Sequence, residues 1–423
     1  MRGEDVLVRA LSRSADTVYG VPGYPVSGLV RRLDAVIPVN EKVALEYALG
    51  DSLSGRRSVV ICKHVGLNAC ADPLINATTQ GLGAGVVVLA GDDVEAVASQ
   101  NAQDSRYFGE IARVPVIEPD ASTCAAAVEE AFVASERFSR ITLLRVTPPL
   151  LEADAAGEIP PVTRGAGTPA PPGLTMPGRV HRAAAGTAAI FDWARTHPLN
   201  RIHGTEVGAG MAPGDSRVVV VYPPPGDPGQ LDGIRELGRP FVREHRHLRP
   251  PPPAPAPETI RSRGWYRTFC AGCPFRYALS LLAERGMKAI CDVGCSILAQ
   301  NPPYSVGVAS YGLGSSVAVA AKSTGVCLIG DYALLHSGLN ALIDVYAREI
   351  PLLCIVFNNR RLGMTGGTPA IDPLPVLAWA APLVSAADDH TTLSRILVPP
   401  ERPVTVVIEG TCPEGETHER VEC

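Results

Sequence analysis

The stretch "IGDYALLHSGLNALIDVYAREIPLLCIVFNN", from Ile329 to Asn359, decides the fold of the C-terminal part of the chain. An apolar segment ends in Gly-Asp, a second apolar segment ends in Asn-Asn, and the residues between them have helical spacing. Leu335, Leu339, Leu342 and Tyr346 form the apolar stripe of that helix. The pattern predicts a strand–helix–strand unit with parallel strands.

Small oxygen-bearing side chains follow both strands of this unit. A crossover brings the carboxyl ends of both strands to one edge of the sheet, where ligands of open α/β sheets bind. Magnesium prefers oxygen ligands, few of them from protein and the rest from phosphate and water. Asp331, Asn359 and a backbone carbonyl therefore suit a magnesium diphosphate, and Gly330 leaves room for the phosphates. The alternative is an ordinary turn with an Asp helix cap and an Asn loop.

Composition limits the class of protein. The chain has 423 residues, of which 46% are hydrophobic and 19% charged, so it is long enough for two to three domains with apolar cores. A net charge of −5 without a basic block argues against a nucleic-acid partner. The N-terminus is charged rather than apolar, and the apolar runs are shorter than the roughly eighteen residues of a membrane span. We therefore expect a cytoplasmic protein with no membrane partner.

Two segments rich in Pro, Gly and Ala divide the chain. Residues 159–184 and 249–260 contain few side chains that can enter a core, and we interpret both segments as linkers. They leave an N-terminal domain at residues 1–158, a small middle domain at 185–248 and a C-terminal domain at 261–423.

Strands and helices alternate in both large domains. The predicted strands are RSVVICK, AGVVVLAGD, VPVIEP and RITLLRVT in the first domain, and KAICDVG, GVCLIGD, PLLCIVFNN and PVTVVIEG in the last. This alternation predicts an α/β fold with mostly parallel sheets flanked by helices. The middle domain contains one clear strand, RVVVVYP, and we expect a small α/β unit there.

Several motifs together point to one family. Gly330-Asp331, 26 intervening residues and Asn358-Asn359 resemble the thiamine-diphosphate motif. The accompanying motifs are NEKVALEYALGDSLSG, CKHVGLNACADPL, SQNAQDSRYFGEIARVPVIEP, CAGCP, DVGC, LLHSGLNALI and NNRRLGMTG. With these motifs, most of residues 15–120 and 265–412 resemble the α-subunits of indolepyruvate:ferredoxin oxidoreductases, which are 2-oxoacid:ferredoxin oxidoreductases.

The resemblance implies two domains of the thiamine-diphosphate-binding fold. The domain at residues 1–158 would bind the aminopyrimidine of the cofactor, and the domain at 261–423 would bind its diphosphate with Mg²⁺. The implied cofactor-binding residues are Gly330, Asp331, Tyr332, Asn358, Asn359, Arg361, Gly312 and Gly272. The implied magnesium ligands are Asp331, Asn359 and the backbone carbonyl of Arg361.

The family places a Glu at the start of a helix, nine residues before a Gly, against the aminopyrimidine. Glu41 precedes Gly50 by nine residues, and Asn40 can cap that helix. From the residues alone, a Glu beside an Asn cap is usually a solvated charge in a first helical turn, and only the spacing and the neighbouring residues favour Glu41. In the family the two cofactor-binding domains meet across a subunit interface, so the resemblance implies a homodimer or a higher oligomer.

Three further side chains are candidate catalytic residues. The resemblance places His336 near the reacting carbon as a proton donor, and a hydrogen-bonded residue at a helix start is the alternative. Lys63 and His64 follow a strand and can reach the cofactor or a substrate carboxylate, or they can serve only in the turn.

Nine of the eleven cysteines fall into two groups, and Cys291 and Cys423 have no clear role. Cys62, Cys70, Cys124, Cys327 and Cys354 lie within predicted strands or helices, and we expect them to be buried apolar residues. Cys270, Cys273, Cys295 and Cys412 lie at strand ends or in loops and resemble the ligands of a [4Fe–4S] cluster in ferredoxin-linked relatives. Zinc, or reduced thiols without metal, are the alternatives.

The resemblance implies oxidative decarboxylation of a small 2-oxoacid of the aryl-pyruvate kind, with coenzyme A as acceptor. The related subunits continue into a ferredoxin-like domain whose Cys-rich motifs do not occur in this sequence. We therefore expect electrons to pass to ferredoxin or to a separate subunit. Non-oxidative decarboxylation and a cofactor-binding subunit for assembly or regulation are the alternatives.

Some substrate-side positions depart from the family pattern. Tyr24 replaces a Thr, Gly28 replaces a Glu, and Phe275 and Gly367 each replace a His. The cofactor-binding motifs are kept while these positions change, which favours a different substrate or altered chemistry.

Overall fold

The computed structural model describes residues 1–155, 158–171, 174–195, 197–199, 217–219, 265–415 and 417–422. Most of the predicted middle domain at 185–248, and the whole predicted linker at 249–260, lie outside these residues, as does Cys423. Of the predicted strand RVVVVYP, only Arg217–Val219 is described, and it is a strand.

The strands alternate with helices along the chain. The strands are β1 (Thr17–Gly20), β2 (Ser58–Lys63), β3 (Val86–Gly91), β4 (Val116–Glu118), β5 (Thr142–Val146), β6 (Arg217–Val219), β7 (Trp265–Arg267), β8 (Ile290–Cys291), β9 (Val326–Gly330), β10 (Leu353–Asn358), β11 (Leu383–Ala386), β12 (Val404–Glu409) and β13 (Arg420–Glu422).

The helices have the following bounds. They are α1 (Gly3–Ser14), α2 (Ser27–Arg32), α3 (Glu41–Leu53), α4 (His64–Ala69), α5 (Ala71–Gln80), α6 (Arg106–Ala112), α7 (Cys124–Phe138), α8 (Pro148–Glu152), α9 (Met176–Arg195), α10 (Arg276–Glu284), α11 (Ser316–Ala321), α12 (Asp331–Ala333), α13 (Leu339–Ala347), α14 (Leu374–Leu377) and α15 (His390–Ile396).

The chain forms two compact units. Unit 1 consists of the described residues within Met1–Ile37, Gly55–Pro169 and Val180–Thr259. Unit 2 consists of the described residues within Pro38–Ser54, Ala170–Arg179 and Ile260–Cys423, so helix α3 belongs to unit 2. The predicted domain boundaries stay predictions.

Unit 1 is built on one sheet with the strand order β1-β2-β3-β5-β4-β6. The first five strands in this order are parallel, and β6 is antiparallel to β4. Every residue of β3 is buried, as expected for a central strand covered by helices on both faces. Helices α1 and α7 pack together and bury residues such as Leu7, Leu11 and Phe132.

Unit 2 contains a five-stranded parallel sheet with the order β11-β12-β10-β9-β8. Strands β9 and β10 pair in parallel, with Phe357 opposite Gly330. Helices α12 and α13 lie between them in sequence, so the predicted strand–helix–strand unit is confirmed. Together the two sheets confirm the predicted α/β class.

The helical stretch between β9 and β10 corrects one detail of the prediction. Leu342 is buried, whereas Leu335, Leu339 and Tyr346 of the predicted stripe are only half-buried. The N–H of Leu339 bonds to the carbonyl of Leu334, five residues back, which is a wide helical turn. This extra residue shifts the phase of the helix, and such turns occur frequently at functional sites.

The C-terminal strand fixes the segment that follows β12. Strand β13 pairs antiparallel with β7, and the N–H of Thr268 donates to the carbonyl of Glu419 at 2.9 Å. The N–H of Gly410 donates to the carbonyl of Asn358 at 3.1 Å. The loop from Gly410 to Glu419 is therefore anchored at both ends.

Candidate functional site

A cavity of about 300 Å³ opens at the carboxyl ends of the strands of unit 2. Gly330 and Asp331 follow from β9, and Asn359 and Arg361 follow from β10. Parallel strands bring these segments to one edge of the sheet, where the sequence predicted a ligand site. The same cavity is lined by the predicted cysteines, which are Cys270, Cys273, Cys295 and Cys412.

Asp331 presents a buried carboxylate at this edge. Its side chain is 2% exposed, Oδ1 accepts from the N–H of Tyr332 at 2.6 Å, and Oδ2 accepts from the N–H of Arg360 at 2.6 Å. Burial raises the pKa of Asp331 above its usual value, and the nearby charge of Asp372 raises it further, although the backbone donors oppose the shift. A cation beside this carboxylate would offset the cost of burying its charge.

The two Asn side chains after β10 have different partners. Asn358 is buried, its Nδ2 donates to Asp372 Oδ1 at 3.3 Å, and its Oδ1 has no hydrogen-bond partner among the described residues. Asn359 lines the cavity, and its Oδ1 accepts from the N–H of Arg361 at 3.2 Å. Asp372, which no sequence motif identifies, thus completes the polar set at this edge.

These residues fit a magnesium diphosphate. Asp331 and Asn359 offer a carboxylate and an amide oxygen, the ligand types that Mg²⁺ prefers. A Cβ placed on Gly330 would meet no atom within 4 Å, so there is open space beside the end of the strand. The buried and unpartnered Oδ1 of Asn358 is a further acceptor that an additional group can satisfy.

The buried Asp292 accepts hydrogen bonds from the glycine-containing loop at residues 312–316, beside the cavity. Asp292 Oδ1 accepts from the N–H of Gly314 at 2.8 Å, and Oδ2 accepts from the N–H of Ser316 at 3.1 Å. Burial raises the pKa of Asp292 to about 6. Gly314 has a φ of +79°, and an added Cβ would lie 2.4 Å from the backbone nitrogen of Gly338. Gly312 accepts from Ser315 Oγ at 2.9 Å in the same loop.

The four cysteines of the cavity are half-buried. Burial raises the pKa of Cys273 to about 12, and the sulfurs of Cys412, Cys295 and Cys270 add to the shift. Burial likewise raises the pKa of Cys295 to about 11, with contributions from Cys412 and Cys270. Among the described residues, no three His, Cys, Asp or Glu side chains converge as a ready site for one metal ion. Gly272 is exposed between the first two cysteines.

The anchored C-terminal segment adds His418 to the cavity wall. Its Nε2 lies 3.5 Å from Cys295 Sγ. Burial lowers the pKa of His418, and the positive charge of Arg267 lowers it further. No sequence motif identifies His418, because only the pairing of β13 with β7 brings it to the cysteines.

Glu41 begins helix α3, and the predicted cap is confirmed because Asn40 Oδ1 accepts from the N–H of Val43 at 2.9 Å. Lys42 Nζ donates to Glu46 and to the carbonyl of Leu313, which lines the cavity. Glu41 itself is half-buried and is not among the residues that line the cavity.

Gly50 lets helix α3 approach helix α11 closely. A Cβ placed on Gly50 would lie 2.5 Å from the carbonyl oxygen of Val319. On the adjoining helix, Asp344 Oδ2 accepts from Tyr47 Oη at 2.9 Å. The helix that carries Glu41 is therefore packed on unit 2 of its own chain.

His336 lies in the wide turn between α12 and α13 and is exposed. Its ring centroid is 5.7 Å from that of Tyr332, which lines the cavity. His336 is not among the residues that line the cavity, so its predicted catalytic role stays a prediction.

Lys63 and His64 lie in unit 1, at the junction of β2 and α4. His64 is fully buried, its Nδ1 accepts from the N–H of Asp93 at 3.2 Å, and its Nε2 lies 3.0 Å from the carbonyl oxygen of Asn101. Both ring nitrogens are thus engaged by backbone groups, which favours the structural alternative for His64. The stem of Lys63 packs over Gly23, where an added Cβ would lie 2.6 Å from Lys63 Cδ.

A buried ionic network, not foreseen from the sequence, lies at the carboxyl ends of the central strands of unit 1. Arg145 Nε lies 2.5 Å from Asp92 Oδ2, and Arg145 Nη1 also contacts Glu118. Arg106 pairs with Asp104 at 2.7 Å and with Glu118 at 3.3 Å. Burial opposes ionisation of Asp104, yet the bonds from Arg106 hold its pKa well below the usual value.

Phe275 and Gly28, two of the positions that depart from the family pattern, have well-defined neighbours in the structure. Phe275 is buried, stacks on Phe357 with ring centroids 4.5 Å apart, and lines the cavity. Gly28 lies against Glu4, whose Oε1 would be 1.9 Å from an added Cβ. One wall of the cavity is therefore aromatic where the family pattern has an imidazole.

Within the described part of the chain, no helix combines the length and the apolar character required to cross a membrane.

Comparison with known proteins identifies the C-terminal domain. Residues 271–374 match the thiamine pyrophosphate enzyme family in its C-terminal TPP binding domain. The segment contains Asp331, Asn359 and two of the four cavity cysteines, Cys273 and Cys295. It is therefore a thiamine-diphosphate-binding domain.

Relatives align over most of the chain. Indolepyruvate oxidoreductase subunit IorA of Methanothermobacter thermautotrophicus is 26% identical over 480 residues, covering 87% of this chain and 76% of that protein. IorA of Methanothermobacter marburgensis is also 26% identical, covering 91% of this chain and 79% of that protein. The chain is thus a distant homologue of IorA and a thiamine-diphosphate-dependent, 2-oxoacid-oxidoreductase-like enzyme. The predicted resemblance is confirmed.

The fold is shared with a solved structure. The thiamine diphosphate-dependent 4-hydroxybenzoylformate decarboxylase of Rhodococcus jostii RHA1 superposes with a TM-score of 0.58 and 17% identity, covering 97% of this chain and 99% of that chain. At this identity the likeness concerns the fold alone.

Proposed function

We propose that this chain decarboxylates a small 2-oxoacid of the aryl-pyruvate kind. Thiamine diphosphate and Mg²⁺ would be held at Asp331 and Asn359, and electrons would leave through a [4Fe–4S] cluster on Cys270, Cys273, Cys295 and Cys412. The observation that carries the proposal is that the buried carboxylate of Asp331 and all four thiols line one cavity.

Each residue near the cofactor would have a distinct task. When bound, thiamine diphosphate supplies a nucleophilic carbon and an electron sink for decarboxylation. Asp331, Asn359 and the backbone carbonyl of Arg361 would bind Mg²⁺. Glu41 would hold a proton at the ring nitrogen of the aminopyrimidine. Phe275 and Phe357 would exclude water from the apolar side of the cavity.

The four thiolates would bind four different irons, so their sulfurs surround a cluster rather than converge on one ion. Their mutual influence on the pKa values of Cys273 and Cys295 supports such proximity. His418 beside Cys295 would be a polar neighbour of the cluster, a kind of contact that tunes reduction potential.

The relatives are named as subunits of an oxidoreductase, which supports a partner subunit for this chain as well. That subunit, or ferredoxin, would accept the electrons. Coenzyme A is the proposed acyl acceptor, and the proposed location is the cytoplasm.

A non-oxidative decarboxylase is the second candidate. Burial keeps Cys273 and Cys295 as neutral thiols at neutral pH in a chain without metal. Without iron, the cavity would hold the reacting carbon and offer no exit for electrons.

Anaerobic purification separates the two candidates. The proposal predicts a brown protein with broad absorption near roughly 400 nm and about four irons per chain. Conversion of a 2-oxoacid would then require an electron acceptor. Carbon dioxide and aldehyde formed without acceptor by an iron-free protein would favour the non-oxidative alternative. About one zinc per chain would indicate a structural metal site instead.

A further inference from the structure

The side chain of Asn359 joins the predicted cation site to one of the cysteines. Asn359 Nδ2 donates to Cys412 Sγ at 2.9 Å, while its Oδ1 accepts from the N–H of Arg361 at 3.2 Å. The amide group is therefore held at both ends, and exchanging its oxygen and nitrogen would lose both hydrogen bonds. The direction in which the oxygen points thus depends on the sulfur.

The backbone positions both partners of the contact between Asn359 and Cys412. Cys412 follows Gly410, whose N–H bonds to the carbonyl of Asn358, the residue before Asn359. Gly363 lies against the pair, because an added Cβ would be 3.4 Å from Asn359 Nδ2 and 3.7 Å from Cys412 Sγ. The backbone on both sides therefore fixes the distance between amide and sulfur.

From this geometry we infer that Cys412 orients Asn359 and thereby couples the four cysteines of the cavity to the magnesium site. The inference rests on the proposed function, since it concerns the same Asn as a magnesium ligand. A sulfur atom is a weak acceptor as a thiol and a stronger one when it carries negative charge, as a metal-bound thiolate does. Metal binding at the cysteines would then change the affinity of the other site for Mg²⁺. Mg²⁺ binding would change the affinity of the cysteines for their metal by the same factor.

Magnesium affinity measures this coupling directly. Mg²⁺ is titrated into anaerobically purified full-length protein at saturating thiamine diphosphate, and the dissociation constant is measured by calorimetry. Loss of a group that orients a metal ligand typically weakens metal binding by about 10–100-fold. Cys412→Ala should therefore weaken Mg²⁺ binding by roughly tenfold, and Cys412→Ser, whose hydroxyl can still accept, should restore part of it.

Cys273→Ala is the matched control. It removes a thiol of the same cavity, and its sulfur makes no hydrogen bond with Asn359 in the structure. Cys412 keeps its contact with Asn359 in this variant but becomes a weaker acceptor without the cluster, so the inference expects a clearly smaller loss of Mg²⁺ affinity than in Cys412→Ala. Equal weakening by Cys412→Ala and Cys273→Ala would overturn it, because the effect would then come from losing the cluster. Unchanged affinity in Cys412→Ala would also overturn it.

A double-mutant cycle covers the case in which Cys412→Ala folds poorly. Asn359→Asp keeps an oxygen ligand but cannot donate to sulfur. In that background, Cys412→Ser should change Mg²⁺ affinity less than it does in the wild-type background, and equal effects in both backgrounds contradict the coupling. Absence of cofactor binding by the wild-type chain would overturn the proposed function together with the inference. Intact binding without coupling overturns the inference alone.

Discussion

The carboxylate of Asp331 accepts a hydrogen bond from the backbone N–H of Arg360, with 2.6 Å between the nitrogen and Oδ2. Asp331 immediately follows β9, and Arg360 lies two residues beyond β10. One buried carboxylate therefore joins the ends of two neighbouring parallel strands. A cation bound there would be held by a pre-formed edge of the sheet rather than by a mobile loop.

Asp292 should make the stability of the protein depend on pH. Its pKa is about 6 in the folded chain, above the ordinary value of 3.8, because it is buried. Between these values the folded state binds a proton that the unfolded state does not, so the free energy of unfolding falls as pH rises. Asp292→Asn should show a smaller fall between pH 4 and pH 7 in urea unfolding. An identical fall in both proteins would show that Asp292 does not titrate in this range.

The buried ionic network should contribute strongly to the stability of unit 1. Arg145→Leu leaves Asp92 and Glu118 buried without this partner, and breaking a buried pair typically costs about 3–5 kcal/mol. Arg164→Leu is the control, since its pair with Asp16 is largely solvent-exposed and such pairs contribute about 0–1 kcal/mol. Urea unfolding of both variants checks the difference. Similar losses would mean that burial of the network contributes little.

Glu41 should control activation of the cofactor. If Glu41 holds the proton on the aminopyrimidine, Glu41→Gln should retain cofactor binding but slow exchange of the thiazolium C2 proton by roughly 10²–10⁴-fold. Hydrogen–deuterium exchange measured by NMR, with cofactor affinity measured in parallel, checks this. An exchange rate equal to wild type would assign Glu41 to the helix start alone.

Subunit mixing tests whether one site uses two chains. Helix α3 packs on unit 2 of its own chain, while the family resemblance implies a Glu41 from a partner chain. If the site is shared, mixing inactive Glu41→Gln and Asp331→Ala dimers should restore about a quarter of wild-type activity, because half of the dimers are mixed and each has one intact site. If both residues of a site come from one chain, re-associated mixtures stay inactive.

The central elements of the fold follow from local sequence. Continuous apolar segments predict β3, β9 and β10 because central parallel strands are covered on both faces. Asn40 predicts the start of α3 because its side chain can cap the helix. By contrast, β1 and β11 were not predicted, since they are short and only partly buried edge strands whose formation depends on their neighbours.

Only those residues of the candidate site that belong to short, contiguous sequence motifs could be predicted. Asp331, Asn359 and the cysteines stand in recognisable motifs, and they line one cavity. Asp372 and His418 lie in loops whose position depends on pairing far along the chain, so no local pattern identifies them. The wide turn at His336 likewise depends on helix geometry, which apolar spacing alone did not reveal.

Binding of Mg²⁺ and thiamine diphosphate to the wild-type chain and to Asp331→Ala is the most direct test of the account. Calorimetric titration should show a saturable, magnesium-dependent complex with the wild-type protein. Asp331→Ala removes the charged ligand, and we expect binding to weaken by more than the roughly 10–100-fold that loss of an outer-shell partner of a metal site typically costs. Equal cofactor affinity in the two proteins would contradict the assignment of this sheet edge as the cofactor site.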